Sequence, residues 1–300
     1  MRKLIRQLLN KAGYDIIKVN TFSERMAHKI RKVKVGNYLL DMPGNTPQIN
    51  TYRYDPAANS QLGRLSACIA EKYPSLTVID IGANVGDTIA IVKTAAELPV
   101  IGIEGDEFAY RFLERNLPLF KEVTLIKEFL GEKEETVQAS LEKTGWNTTI
   151  VPSAEKGQAI KLRTLDQVLQ QQQLADRTLK LLKIDTEGFD TIILRGAQEL
   201  LQRRQPVIYF EYNRSNMDAI GELGLPTLFS LEQYGYHSIT FFDNKGRYLL
   251  TAPLNQHELI RQLHEYAAEG ESGIAYYDIC LFHHTDQDLA DRFIAQEKAL

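Results

Sequence analysis

Three short strings in this 300-residue chain set carboxylates and glycines at the ends of apolar runs. The first, Asp80-Ile-Gly-Ala-Asn-Val-Gly-Asp87, follows the run TVIDI and precedes a helical pattern. Gly82 and Gly86 let the chain turn sharply there and let a ligand approach the backbone, at the edge of a parallel sheet where ligands sit. The spacing is GxxxG rather than GxGxxG, and it opens on an acid. A carboxylate at Asp80 repels a pyrophosphate but suits the ammonium and sulfonium ends of a cationic ligand. The expected ligand is therefore S-adenosylmethionine rather than NAD.

The second string, VIGIEGDE, brings Glu104 to the end of the next apolar run, about twenty residues past the glycine turn, where a carboxylate can accept both hydroxyls of a ribose. Asp106 fits a helix cap as well as a ligand contact, because acidic residues favour a first helical turn. In LIKEFLGEKEE the third run ends, and Glu128, Phe129 and Leu130 reach the same edge and could flank an adenine ring. The third string, Leu182-Lys-Ile-Asp-Thr-Glu-Gly-Phe-Asp190, surrounds one glycine with three carboxylates. Thr186 or Asp190 can cap the following helix, and Glu187 can be merely solvated. Asp185 is not explained that way; at a strand end facing the cleft it is the candidate catalytic base or substrate ligand. Glu211, ending VIYFEY with Asn213 just beyond, lines the same side.

These residues need strands and helices in alternation to hold them. TVIDI (77 to 81), VIGIE (100 to 104), VTLIK (123 to 127), LKLLKID (179 to 185) and VIYFEY (207 to 212) alternate with helical segments such as 86 to 97 and 106 to 117. That rhythm predicts βαβ units and a doubly wound parallel α/β sheet. Between Glu134 and Arg163 a small hairpin excursion interrupts it, before a helix starting at Thr164. A helix is expected around 216 to 234 and another at 254 to 268. YHSITFFD (236 to 243) and AYYDICLFH (275 to 283) read as an antiparallel edge pair, and 285 to 300 as a polar terminal helix. Residues 37 to 60, rich in Pro, Asn and Gly, read as an irregular connection.

Composition narrows the function classes. A net charge of −4 gives no field for nucleic acid or an anionic membrane. Only Cys68 and Cys280 are present, which predicts a reduced, cytoplasmic setting and no cysteine-based metal site. Leu4, Ile5, Leu8 and Leu9 form the apolar stripe of a short basic N-terminal helix, expected to pack on its own domain in preference to a membrane surface. The six histidines lack metal-ligand spacing apart from the adjacent His283 and His284, and Trp146 in the excursion loop suits either stacking on a sugar or plugging a loop.

The strings DIGANVGD, IGIEGDE, LKIDTEGFD and VIYFEYN, in this order and at these intervals, resemble the FkbM family of S-adenosylmethionine-dependent methyltransferases. The resemblance is strong over residues 76 to 212. It implies a class I methyltransferase sheet of seven strands with the last antiparallel, and O-methylation of a hydroxyl on a sugar, glycan or secondary metabolite. By position, Asp80, Gly82, Ala83, Asn84 and Gly86 look like the turn at the methionine side, and Glu104 the ribose acceptor. Asp185 and Glu187 look like the family's hallmark beside the acceptor. The expected division is an extension over 1–60, the catalytic domain over 61–285 and a terminal helix over 286–300. Asp185, Glu187 and Glu211 are the candidate catalytic residues. They would activate a hydroxyl as bases or jointly hold Mg²⁺, with direct hydrogen bonding to the acceptor favoured. A non-catalytic binding module and an N-methyltransferase are the alternative readings.

Overall fold

The computed structural model describes residues 29–144, 147–152, 157–268 and 273–300. The expected N-terminal helix and Trp146 lie outside them. A hairpin of β1 (Ile30–Val35) and β2 (Tyr38–Pro43) leads to helices α1 (Gln48–Tyr54) and α2 (Ser60–Lys72). Next come β3 (Thr77–Ile81), α3 (Asp87–Ala95), β4 (Val100–Ile103), α4 (Glu107–Asn116) and β5 (Val123–Ile126). A four-strand excursion of β6 (Phe129–Leu130), β7 (Glu135–Thr144), β8 (Asn147–Pro152) and β9 (Gln158–Arg163) precedes α5 (Leu165–Gln171). The chain continues through β10 (Leu179–Ile184), α6 (Asp190–Arg195), α7 (Gln198–Arg203), β11 (Val207–Tyr212), α8 (Arg214–Ile220) and α9 (Leu225–Ser230). It ends with β12 (Tyr236–Asp243), β13 (Tyr248–Pro253), α10 (His257–Ala268), β14 (Tyr277–His283) and α11 (Gln287–Lys298).

The main sheet has the order β13-β12-β14-β11-β10-β3-β4-β5. From β3 the chain lays β4 and β5 on one side and then returns to place β10 and β11 on the other, so strand order reverses between β3 and β10. In such a sheet the cleft opens beyond the carboxyl ends at that point. The five strands predicted from their apolar runs are all parallel to one another, and β14 is antiparallel to both its neighbours, β11 and β12.

Three expectations need correction. The sheet has eight strands rather than seven, because Tyr248–Pro253 pairs with β12 and moves the edge outward by one strand. Residues 37 to 60 are not wholly irregular: Leu40 and Met42 of β2 are fully buried, and Tyr52 anchors α1. The helix expected over 216 to 234 is broken, since Gly221 and Gly224 take positive φ and Pro226 follows. The excursion is a hairpin, β7 with β8, extended by β9 and β6 into a sheet of its own.

One row of the main sheet fixes the site. Ile126, Ile103, Ile81, Ile184 and Phe210 lie side by side in register, and Ile279 continues the row across β14. All six are buried in the core on the face that carries α5 to α9. Full burial of each such side chain contributes roughly 1.5–3 kcal/mol, so the register is strongly specified. Because side chains alternate, the next residues turn to the opposite face at the carboxyl edge: Glu104, Gly82, Asp185 and Glu211, with Asp278 paired to Glu211. That face packs against α2, α3 and α11.

Candidate active site

A cavity of about 470 Å³ opens at this edge, within the range of small-molecule sites. One wall carries Gly82, Asn84, Glu104 and Asp106; a second carries Glu128, Phe129 and Leu130; Asp185, Glu187 and Glu211 close the far end. The three expected catalytic carboxylates and most of the expected cofactor residues therefore share one space.

The glycine turn is crowded from behind. Gly82 has φ +71°, and a Cβ there would lie 1.8 Å from the carbonyl oxygen of Asp185. Only glycine allows the turn after β3 to approach the end of β10 so closely. Asn84, also at positive φ, gives its backbone N–H to Glu104 at 2.9 Å. The other oxygen of Glu104 accepts the N–H of Asp106 at 2.8 Å. Burial pushes the Glu104 carboxyl up to about 7, against the pull of these two amides and of Lys183. Its remaining lone pairs are the ones a ribose would use.

Asp106 meets the cap expectation and stands at the cavity wall. Its side chain caps α4 by accepting from Phe108 and Ala109, and the residue also lines the cavity. Gly105 is close-packed: a Cβ there would meet the Phe129 ring at 2.3 Å, so only a bare backbone lets that ring lie against it.

Three members of the first string have other positions than expected. Asp80 is 2% exposed and does not face the cavity. It lies beneath the turn, paired with Lys183 Nζ at 2.8 Å and accepting from Thr88 Oγ1 at 2.5 Å. Its charge is spent on the protein: two residues before Gly82, Asp80 shares that residue's face but lies deeper along the strand, opposite Lys183. Ala83 is fully buried, and Gly86 turns toward Leu113 and Phe120 at φ +88°, initiating α3 rather than lining the site.

The acceptor end is acidic. Asp185 has 44% of its side chain exposed and lies 3.8 Å from Lys183 Nζ. Glu187, at φ +54°, accepts from Asn216 Nδ2 at 2.7 Å; burial and then Asp185 push it up to about 7. A non-glycine residue held in this region stores strain, and such strain gathers at functional sites. Burial, followed by Asp185, Glu187, Asp190 and Asp278, raises Glu211 well above the ordinary carboxylate range. Asp190 accepts the N–H groups of Thr186 and Gly188 at 3.3 Å, stapling the 186–188 turn.

Lys183, Tyr276, Asp278 and Tyr52 also line the cavity and were not singled out from the sequence. Tyr52 donates to Asp87 at 2.7 Å, bringing α1 over the cleft. Asp278 faces in because β14 runs antiparallel, a register that a single string does not reveal; the polar interruptions in AYYDICLFH were the available signal. Lys183 sits inside an apolar run beside Asp185, and its pairing with Asp80 follows only from strand adjacency.

Among the described residues, no three His, Cys, Asp or Glu side chains are grouped to hold a metal ion. No described helix is long and apolar enough to cross a membrane. The described histidines lie elsewhere: His264 bonds Tyr212 at 2.7 Å and His257 stacks on Phe229.

Residues 80–238, just over half of the chain, match the model of the methyltransferase FkbM domain. No curated protein matches the chain. Among solved structures, a methyltransferase FkbM from Methylobacillus flagellatus KT is similar at 20% identity and TM-score 0.35, over 46% of this chain and 33% of that one. The matched part thus spans about a third of that protein's length. A precorrin-6y C5,15-methyltransferase from Geobacter metallireducens GS-15 is similar at 15% identity and TM-score 0.35, over 70% of this chain and 80% of that one. A SAM-dependent methyltransferase from Aquifex aeolicus is similar at 14% identity and TM-score 0.34, over 79% of this chain and 98% of that one.

Proposed function

The chain belongs to the FkbM methyltransferase family, and on that premise we propose that it moves a methyl group from S-adenosylmethionine to a hydroxyl of a sugar, glycan or secondary metabolite. The observation that carries this reading is the single row Glu104, Gly82, Asp185, Glu211 and Asp278, which sets a cofactor end and an acceptor end in one cavity.

The donor set fits this cofactor. The cavity wall is rich in carboxylates, which suit a cationic sulfonium and repel a pyrophosphate. Glu104 would hold the ribose, the wall of Phe129 and Leu130 the adenine, and the backbone of Gly82 and Asn84 the methionine end. When bound, S-adenosylmethionine supplies a methyl group on positively charged sulfur, which a hydroxyl oxygen displaces in line.

The chain's own work lies at the acceptor end. Asp185, the more exposed carboxylate there, accepts the hydroxyl proton as the oxygen becomes nucleophilic, and then releases it to water. Glu187, pushed up to about 7 by burial and Asp185, and Glu211, raised by burial and its acidic neighbours, stand ready to hydrogen-bond neighbouring hydroxyls of the acceptor. This account uses no metal ion. The buried free thiols of Cys68 and Cys280 support the cytoplasm as the place of work.

The test is transfer of tritiated methyl from S-adenosylmethionine to a panel of hydroxylated sugars and glycans, with a matched panel of amines. Label in the ether-linked products supports the reading; label in the amines alone replaces it with N-methylation.

A further inference from the structure

Lys183 is a buried lysine in the central strand β10, with 4% of its side chain exposed. Its ammonium meets four groups from two strands. It lies 2.8 Å from Asp80 Oδ1 and 3.8 Å from Asp185 Oδ2, and it donates to the carbonyl oxygens of Gly82 at 3.1 Å and Ile81 at 3.3 Å. Three of these partners belong to β3 and its turn, and the fourth stands at the acceptor end. Among the described lining residues, the other cation, Lys245, is exposed in the turn between β12 and β13.

We infer that Lys183 is a positioning residue of the methyl transfer: its ammonium bolts the cofactor-facing glycine turn to the end of β10, fixing the Asp185 carboxylate relative to the turn. The inference rests on the methyltransferase reading of the cavity.

The geometry explains why a lysine is placed here. Gly82 and Asp185 approach so closely that a Cβ on the former would overlap the carbonyl of the latter. The carbonyl oxygens of Ile81 and Gly82 beside that contact converge on one point and repel each other unless a donor sits between them, and an ammonium offers three. The same cation is central to the charge of the site. Asp80 from β3, Asp87 from α3, Asp185 at the end of β10 and Glu187 beyond it all face it, as do Glu104 from β4 and Asp278 from β14; Tyr209 is its neighbour on β11. Burial pulls the Lys183 ammonium down, but Asp80, Asp185 and Asp87 outweigh burial and leave it raised and charged. In turn it pulls the carboxyls of Glu104, Glu187 and Asp278 down, so that Glu104 is ionised at a lower pH than it otherwise would be.

A structural counterion to Asp80 would have no such reach, and the two roles separate in the charge-neutral pair Asp80→Asn with Lys183→Met. S-adenosylhomocysteine is titrated calorimetrically into wild type and pair from about pH 5.5 to 9. The pair is expected to bind about tenfold more weakly near neutrality, and its acid limb to move upward by about one pH unit as Glu104 loses its cation. A folded pair with wild-type affinity and an unmoved limb overturns the inference. Should the pair not fold, the ¹⁵Nζ resonance of Lys183 in the wild-type protein decides. A shift on saturation with S-adenosylhomocysteine supports the bolt, and an unshifted resonance overturns it. Wild type that binds no S-adenosylhomocysteine at all sinks the methyltransferase reading instead, which keeps the two failures apart.

Discussion

Glu104 Oε2 accepts the backbone N–H of Asn84 at 2.9 Å, tying the end of β4 to the glycine turn after β3. The residue expected to hold the ribose thus also shapes the neighbouring wall. Glu104→Gln keeps the size of the side chain but removes the charge that strengthens these bonds, a loss of about 1.5–3 kcal/mol. S-adenosylhomocysteine affinity should fall between about tenfold and a hundredfold in calorimetry, and an unchanged affinity would remove Glu104 from the cofactor site.

Gly82→Ala combines an unfavourable φ of +71° with a Cβ 1.8 Å from the carbonyl oxygen of Asp185. The turn must open for the variant to fold. A destabilisation of about 2–4 kcal/mol in urea unfolding is expected, together with loss of S-adenosylhomocysteine binding. A variant as stable as wild type would show that the close approach is not maintained in solution.

Gly105→Ala is the gentler counterpart. Its Cβ would meet the Phe129 ring at 2.3 Å, and the ring must shift at the wall proposed for adenine. Affinity should drop by about tenfold with stability falling by about 1–3 kcal/mol. Equal affinity would place the adenine elsewhere.

Asp185→Asn should leave S-adenosylhomocysteine affinity within about threefold of wild type while methyl transfer to an acceptor found in the panel falls by about a hundredfold or more. A matching loss of affinity would make Asp185 a cofactor ligand and leave the base unassigned.

Stability should also depend on pH in a stated direction. Burial raises Glu104, Glu187, Asp190 and Asp278 to about 7, from 4.5 for Glu and 3.8 for Asp. Between those values the folded chain binds more protons than the unfolded one. The contribution of these groups is therefore fully present below about pH 4 and is lost as pH rises through 7. The urea midpoint of the protein without ligand should be lower at about pH 7.5 than at about pH 5.5, and a midpoint that rises over this interval would contradict the burial of these acids.

The edge row was readable in the sequence for a physical reason. Parallel strands start and stop on apolar runs of similar length, so the polar residue ending each run lands on one edge. Glu104, Asp185 and Glu211 are found by that rule alone. Depth along the strand is harder to read. Asp80 is expected at the ligand, and it does share the face of Gly82, but it lies two residues deeper, where it meets Lys183, a partner about a hundred residues away in sequence. Gly86 shares the letter and spacing of a ligand-binding glycine but is needed for its φ at the start of α3. Asp278 and Tyr276 come from an antiparallel strand, and the eighth strand from a hairpin whose pairing partner no local pattern specifies.

The claim that this cavity holds S-adenosylmethionine is tested most directly by calorimetric titration of the purified protein with S-adenosylhomocysteine at about pH 7.5, with NAD as control. The account predicts saturable one-to-one binding of the former that weakens at least about tenfold in Glu104→Gln, and no heat from the latter. Binding of NAD without S-adenosylhomocysteine, or S-adenosylhomocysteine binding that is indifferent to Glu104, would contradict it.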